Sequence, residues 1–221
     1  MNESTPTETV NKENEKSSAY ELFSLDESQK EVLRKRVEEH DGLIRVFIHP
    51  IATPSDGYQE DDKSRVQGIL TRTISSPNSP PILVFENSKF INVWKTIWEE
   101  KNMKQDLYLV PTMYDYPYPL VPGKPEPEDK DANGHFLDKD WSYVKEGMVA
   151  FTNAIVDIGV KKVLVGGTSL EIKDDILNRC VGNFIRFMKV GAEDTKIEIK
   201  LSEGTAPLRR SDLRDTYPEL I

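Results

Sequence analysis

Apolar residues along this chain fall into short unbroken runs, separated by longer stretches in which they recur every three or four positions. The runs are Leu43-Ile44-Arg45-Val46-Phe47-Ile48, Ile82-Leu83-Val84-Phe85, Leu107-Tyr108-Leu109-Val110 and Val163-Leu164-Val165. Aliphatic and β-branched character of this length predicts strands buried on both faces. Lys196–Leu201 alternates apolar and charged residues instead, as an edge strand does, with lysines that discourage further pairing. Helical periodicity fills the intervals. One helix opens at Asp26, which with Gln29 forms a capping box, and stops at Gly42. A second covers about Lys63 to Ile74. A third starts at Ser88 as N-cap and turns Ile91, Trp94, Ile97 and Trp98 to one side. A fourth runs from Trp141 to Ile158 with Val144, Met148, Phe151 and Ile155 on its stripe. The last carries Leu177, Cys180, Val181, Phe184 and Met188 at helical spacing.

Strands alternating with helices predict a Rossmann-like three-layer α/β/α sandwich around a mainly parallel five-stranded sheet, joined by right-handed crossovers. The strand order expected is 3-2-1-4-5. Residues 1–18 read as a polar, disordered tail and 19–205 as a single domain. Within that domain 111–140 forms a long proline- and tyrosine-rich connection. Residues 206–221 form a C-terminal extension.

Composition narrows the partners. With 38 acidic against 29 basic residues the formal charge is −9, which disfavours a nucleic-acid groove or an anionic membrane surface. A small polar or anionic molecule, or a protein partner, fits better. The single cysteine excludes an internal disulfide and suits a reducing compartment. No signal-like or membrane-spanning apolar run occurs, so a soluble, cytoplasmic protein is expected. Trp94 and Trp98, or the Lys196–Leu201 edge, offer contacts for a homodimer, although core packing accounts for them equally.

Parallel connectivity gathers candidate chemistry, because every loop that follows a strand opens on one edge of the sheet. In the expected order the switch point lies between the first and fourth strands. His49, Asp56, Tyr58, Gly166, Gly167, Thr168, Ser169, Glu171 and Cys180 then share one crevice. Cys180 reads as a nucleophile favoured by a helix N-terminus and Arg179, while its spacing also places it on the core stripe. His49 reads as a general base at a strand end, or as a histidine satisfied by a backbone carbonyl. Gly166-Gly167-Thr168-Ser169 offers N–H groups and hydroxyls to an anion, or serves a tight strand exit that needs glycine. Tyr114, Tyr116 and Tyr118 share one face in an extended segment; they close a lid over the crevice or anchor their loop to the body. No GxGxxG, P-loop, HExxH or CxxC spacing is present, so neither a cofactor nor a metal site is expected.

The segment VLVGGTSLEI…CVGNFIRFMKVG…IEIKLSEGTAP, roughly the last quarter of the chain, resembles the end of isochorismatase-like cysteine hydrolases. In that family a strand leads into glycine and threonine, then a helix bearing the nucleophilic cysteine, then another strand. The resemblance implies a hydrolase with Cys180 as nucleophile. It also implies an acid at the end of the first strand and a lysine after the third. Phe47-Ile48-His49-Pro50 and Pro111-Thr112-Met113-Tyr114 stand there instead, and IKDDILNR is inserted ahead of Cys180. A catalytically silent relative of the same fold is the alternative that these departures leave.

Overall fold

The computed structural model describes residues 17–50, 68–76, 78–100, 103, 105–113, 116–127, 141–167, 170–173, 176–202 and 218–220. Six strands make one wholly parallel sheet. In chain order they are β1 (Ala19–Glu21), β2 (Leu43–Ile48), β3 (Ile82–Asn87), β4 (Leu107–Thr112), β5 (Lys162–Gly167) and β8 (Glu198–Leu201), arranged β1-β4-β3-β2-β5-β8. The five expected strands stand in the expected order. The sixth, β1, is appended beside β4 in the register Ala19↔Leu107 to Glu21↔Leu109. A separate antiparallel hairpin, β6 (Glu171–Lys173) and β7 (Ile176–Asn178), occupies the connection after β5.

The crossovers divide the helices between the two faces. On one face lie α2, described over residues 68–74, and α3 (Ile91–Glu100). They bury Leu70, Ile74, Ile91, Trp94 and Trp98 against Phe47, Ile82, Val84, Leu107 and Leu109. On the other face lie α1 (Glu27–Glu38), α4 (Trp141–Asp157) and α5 (Arg179–Gly191). Their Leu33, Val37, Phe151, Ile155, Phe184 and Met188 pack on Ile44, Val46, Phe85, Val110, Val163 and Val165. At its centre Phe85 meets Phe151 and Phe184 edge-on, each at 4.8 Å between ring centroids, the geometry that aromatic quadrupoles prefer. The two-sided burial explains why the strands read as apolar runs rather than alternating ones.

Local signals act as expected at several ends. Asp26 Oδ1 accepts from the Gln29 amide at 2.9 Å, and Gln29 Oε1 accepts from the Asp26 amide at 3.0 Å, so the capping box is complete. Gly42 takes φ +82°, where a Cβ would also meet Lys161 at 2.9 Å.

Four details differ from expectation. β3 runs on through Glu86 and Asn87, and a 3-10 turn at Ser88–Phe90 precedes α3. The cap there is Asn87, whose side chain accepts from the Lys89 amide at 2.9 Å, rather than Ser88. β4 continues through Pro111, which sits beyond the end of β1 where no ladder bond to that strand is needed. Gly166 and Gly167 do not lie beyond the strand; they belong to β5 and pair with Phe47 and Ile48. Leu177 lies in β7, so α5 starts only at Arg179.

Candidate functional site at the carboxyl edge of the sheet

The chain turns from building outward through β3 and β4 to building through β5 and β8 on the opposite side of β2. The switch point therefore lies between β2 and β5, where parallel sheets open a crevice. One close contact shapes it. A Cβ on Gly167 would lie 2.6 Å from Val181 Cγ2 and 2.9 Å from the Ile48 carbonyl oxygen. Only glycine lets the first turn of α5 press onto the ends of β2 and β5 at once. His49 and Cys180 each stand one residue from that contact.

Backbone strain marks the same place. His49 has φ +47° and Arg179 φ +66°, the left-handed region that costs a non-glycine residue about 1–3 kcal/mol. Among the described residues one other non-glycine residue shares this region, Asp41 at φ +55°, in the turn ahead of Gly42 at the other edge.

His49 is buried and fully engaged. Its amide donates to the Phe85 carbonyl at 2.8 Å, and its Nε2 lies 3.0 Å from Thr112 Oγ1. The ring also bonds the backbone of Tyr116. Burial dominates that bond and lowers the imidazole pKa from 6.5 to about 4, so the ring is neutral at pH 7. It ties the end of β2 to the end of β4 and to the segment beyond.

Cys180, the second residue of α5, is half-buried and touches the core that Val181, Phe184 and Met188 fill. Its charge, when present, bears on Tyr118. β8 stops at Leu201 opposite Val165, and the Ser202 amide closes the ladder on the Val165 carbonyl at 2.8 Å. Among the described residues, Gly166 and Gly167 are therefore flanked within the sheet by β2 alone.

The tyrosine segment is packed down on the helices. Thr112 bridges Pro119, the Met113 amide donates to the Tyr118 carbonyl at 3.0 Å, and the Leu120 amide donates to the Pro111 carbonyl at 2.9 Å. Tyr116 and Tyr118 stack at 5.8 Å and 15°, on one face as their spacing predicts. Tyr118 is buried against Phe187 at 4.9 Å, and burial raises its phenol pKa. Gly147 lets this segment approach α4, since a Cβ there would lie 2.3 Å from the Pro119 carbonyl oxygen.

Two polar residues escaped the sequence reading. Glu86 is fully buried; its Oε1 accepts from the Asn87 amide at 3.0 Å and its Oε2 from Trp94 Nε1 at 3.4 Å. Thr112 holds His49. An acid directly following an apolar strand, with a tryptophan eight residues on, was the available signal for Glu86. Of the other candidates, Glu171 is the first residue of β6. Asp56, Tyr58, Tyr114, Thr168 and Ser169 lie outside the described residues.

Comparison with protein-family models, curated proteins and solved structures finds no match for this chain. Among the described residues no group of three His, Cys, Asp or Glu side chains is disposed to hold a metal ion, and no helix is long and apolar enough to cross a membrane. The arrangement combines a half-exposed thiol at a helix N-terminus, a free flank of glycine backbone and a neutral, locked histidine. Such a set offers hydrogen bonds and a soft nucleophile, but the histidine is a poor proton acceptor near neutral pH.

Proposed function

We propose that this protein binds a small polar or anionic molecule in the crevice between β2 and β5, with Cys180 against the ligand, and holds it without hydrolysis. The observation that carries this reading is the contact at Gly167, which brings the first turn of α5 onto the ends of both strands. The left-handed backbone of His49 and Arg179 on either side of it supports the reading, because such strain clusters at sites that must be held in shape. The Gly167 amide, on the side of β5 that β8 leaves uncovered among the described residues, supplies a donor, and the N-terminus of α5 favours negative charge. His49 is a positioning residue that fixes β2 to β4.

Cys180 at a helix N-terminus supports a second reading, a cysteine hydrolase of the isochorismatase-like kind. In such an enzyme the thiolate attacks an amide carbonyl carbon, the C–N bond breaks as the amine leaves with a proton, and water then cleaves the thioester to release the acid and the thiol. That chemistry needs a group to take the thiol proton. The stretches in which the resembled family carries its acid and lysine hold His49 and Thr112, bonded to each other at 3.0 Å. Neither carries charge at pH 7, which favours binding over turnover.

The test is alkylation of the only thiol by iodoacetamide at pH 7, with and without a panel of small carboxylates and carboxamides. Reaction in the native state, slowed by one of the panel, is the expected result. A thiol that stays inert until the protein unfolds overturns the assignment of the site to Cys180. Turnover of a panel carboxamide that vanishes in Cys180→Ser replaces binding by hydrolysis.

A further inference from the structure

A second place in the molecule, away from the switch point, has the make-up of a ligand site. Between α4 and α5, on the outer side of the helix layer, lies a groove of about 380 Å3, within the size range of small-molecule sites. Trp141 and Phe187 form its wall, their rings parallel to within 7° at 5.3 Å between centroids. Met148 and Gly191 lie at its base. Gly191 has no side chain because α5 presses on α4 there; a Cβ would come within 3.0 Å of Thr152 Oγ1. Trp141 remains 45% exposed and Val190 53%, a large apolar surface for two residues to leave in water.

The polar groups of the groove are both cations. Lys145 on α4 and Arg186 on α5 line it from the two helices and are exposed, and no acid is among its lining residues. Among the described residues neither forms an ion pair. Lys30, Arg34, Arg36, Lys124, Lys162 and Lys189 each do, while Arg72, Lys161 and Lys196 share the unpaired state. In a chain of net charge −9, two cations without an ion pair among the described residues, side by side on a cleft with an aromatic wall, run against the character of the surface. Apolar walls favour a flat hydrocarbon body, while the guanidinium and ammonium groups favour a carboxylate at its rim. The size argues for a small ligand over a docked helix. The lining covers eight residues of α4 and six of α5, about 10 Å of helix, and Tyr118 stands against both Trp141 at 6.4 Å and Phe187 at 4.9 Å.

We propose that the α4–α5 groove is a binding site for a small amphipathic carboxylate, its planar apolar body on Trp141 and Phe187 and its carboxylate between Lys145 and Arg186. The site does not rest on Cys180 or on the crevice between β2 and β5.

Trp141 makes the test local, since Trp94 and Trp98 are buried on the other face of the sheet. trans-Cinnamate, with its neutral isostere cinnamamide as control, is titrated into the full chain while the indole N–H resonances are followed by NMR. The Trp141 resonance is expected to move saturably with cinnamate while the other two stay still. Cinnamamide is expected to bind at least about fivefold more weakly. Lys145→Gln and Arg186→Gln, both surface changes that leave the fold intact, are each expected to weaken cinnamate about threefold or more and to leave cinnamamide unchanged. A Trp141 resonance unmoved up to about 10 mM ligand overturns the proposal. So does equal binding of acid and amide, or a shift map centred on Cys180. Movement of the Trp141 resonance with protein concentration alone, matched by dimerisation in sedimentation, assigns the groove to a second copy and equally overturns it.

Discussion

The crevice at the carboxyl edge and the groove between α4 and α5 are opposites in how their polar groups are used. At the edge, His49, Glu86, Asn87 and Thr112 are buried and hydrogen-bonded within the protein. In the groove, Lys145 and Arg186 face solvent with no ion pair among the described residues. The edge is rigid because its polar atoms bind one another and glycine removes the space between backbones. The groove is open because a helix–helix contact leaves aromatic rings only half covered. Internal satisfaction builds a frame, whereas unsatisfied groups beside apolar surface recognise something from outside.

Acid separates the two regions most strongly. The unfolded chain protonates His49 below about pH 6.5, but the buried ring resists until about 4. Between those values the unfolded state binds more protons, so stability falls as the pH drops through that window, by about 3 kcal/mol for this one group. Urea unfolding at pH 7 and pH 4 is expected to reveal that loss. His49→Asn, which tolerates the left-handed backbone, is expected to remove most of the difference. An unchanged acid limb in the variant assigns the loss to other groups and breaks the picture of a locked edge.

Glu86→Ala tests the frame by a different route. It leaves the Asn87 amide and the Trp94 indole without their carboxylate partner, for a loss of about 2–3 kcal/mol in unfolding free energy. Glu86→Gln keeps the acceptor and is expected to lose less.

The finest comparison sets one glycine from each region side by side. Gly167→Ala meets the Ile48 carbonyl and Val181 at under 3 Å, with backbone that cannot retreat. It is expected to lose about 2 kcal/mol, as overpacking does. Gly191→Ala meets a side-chain hydroxyl at 3.0 Å, and the better helix propensity of alanine offsets part of the crowding. A change under about 1 kcal/mol is expected there. Equal losses at the two positions contradict the contrast between a rigid edge and an accommodating groove.

Much of this architecture was legible from periodicity. Four apolar runs and one alternating segment sufficed to locate five strands, because strands buried on both faces carry few polar residues to confuse the pattern; their order was taken from the usual doubly wound arrangement and is not written in the runs themselves. β1 was not legible as a strand. Its three residues, Ala-Tyr-Glu, hold their place through β4 and through bonds such as Ser18 N–H to Asp106 at 2.8 Å, not through propensity of their own. Gly166 and Gly167 read as lying past the end of the strand because glycine is poor in strands on average; a close approach from α5 is a tertiary demand that no local window contains. Glu86 was missed because a charge at a strand end resembles the start of a loop until its burial partner is known. The crevice followed from topology alone, whereas the bond between His49 and Thr112, 63 residues apart, and the groove of α4 and α5 are products of packing.

The pairing of β1 with β4 has a consequence in time. Ser18 and Asp106 are 88 residues apart in the chain, so at the usual pace of synthesis the first strand leaves the ribosome about 4–18 s before its partner exists. β2, β3 and β4 assemble by nearer neighbours, while β1 waits on the closure of a long loop. The oldest segment of the sheet is thus among the last to be laid down, and until then the outer edge of β4 stands bare to any other strand nearby.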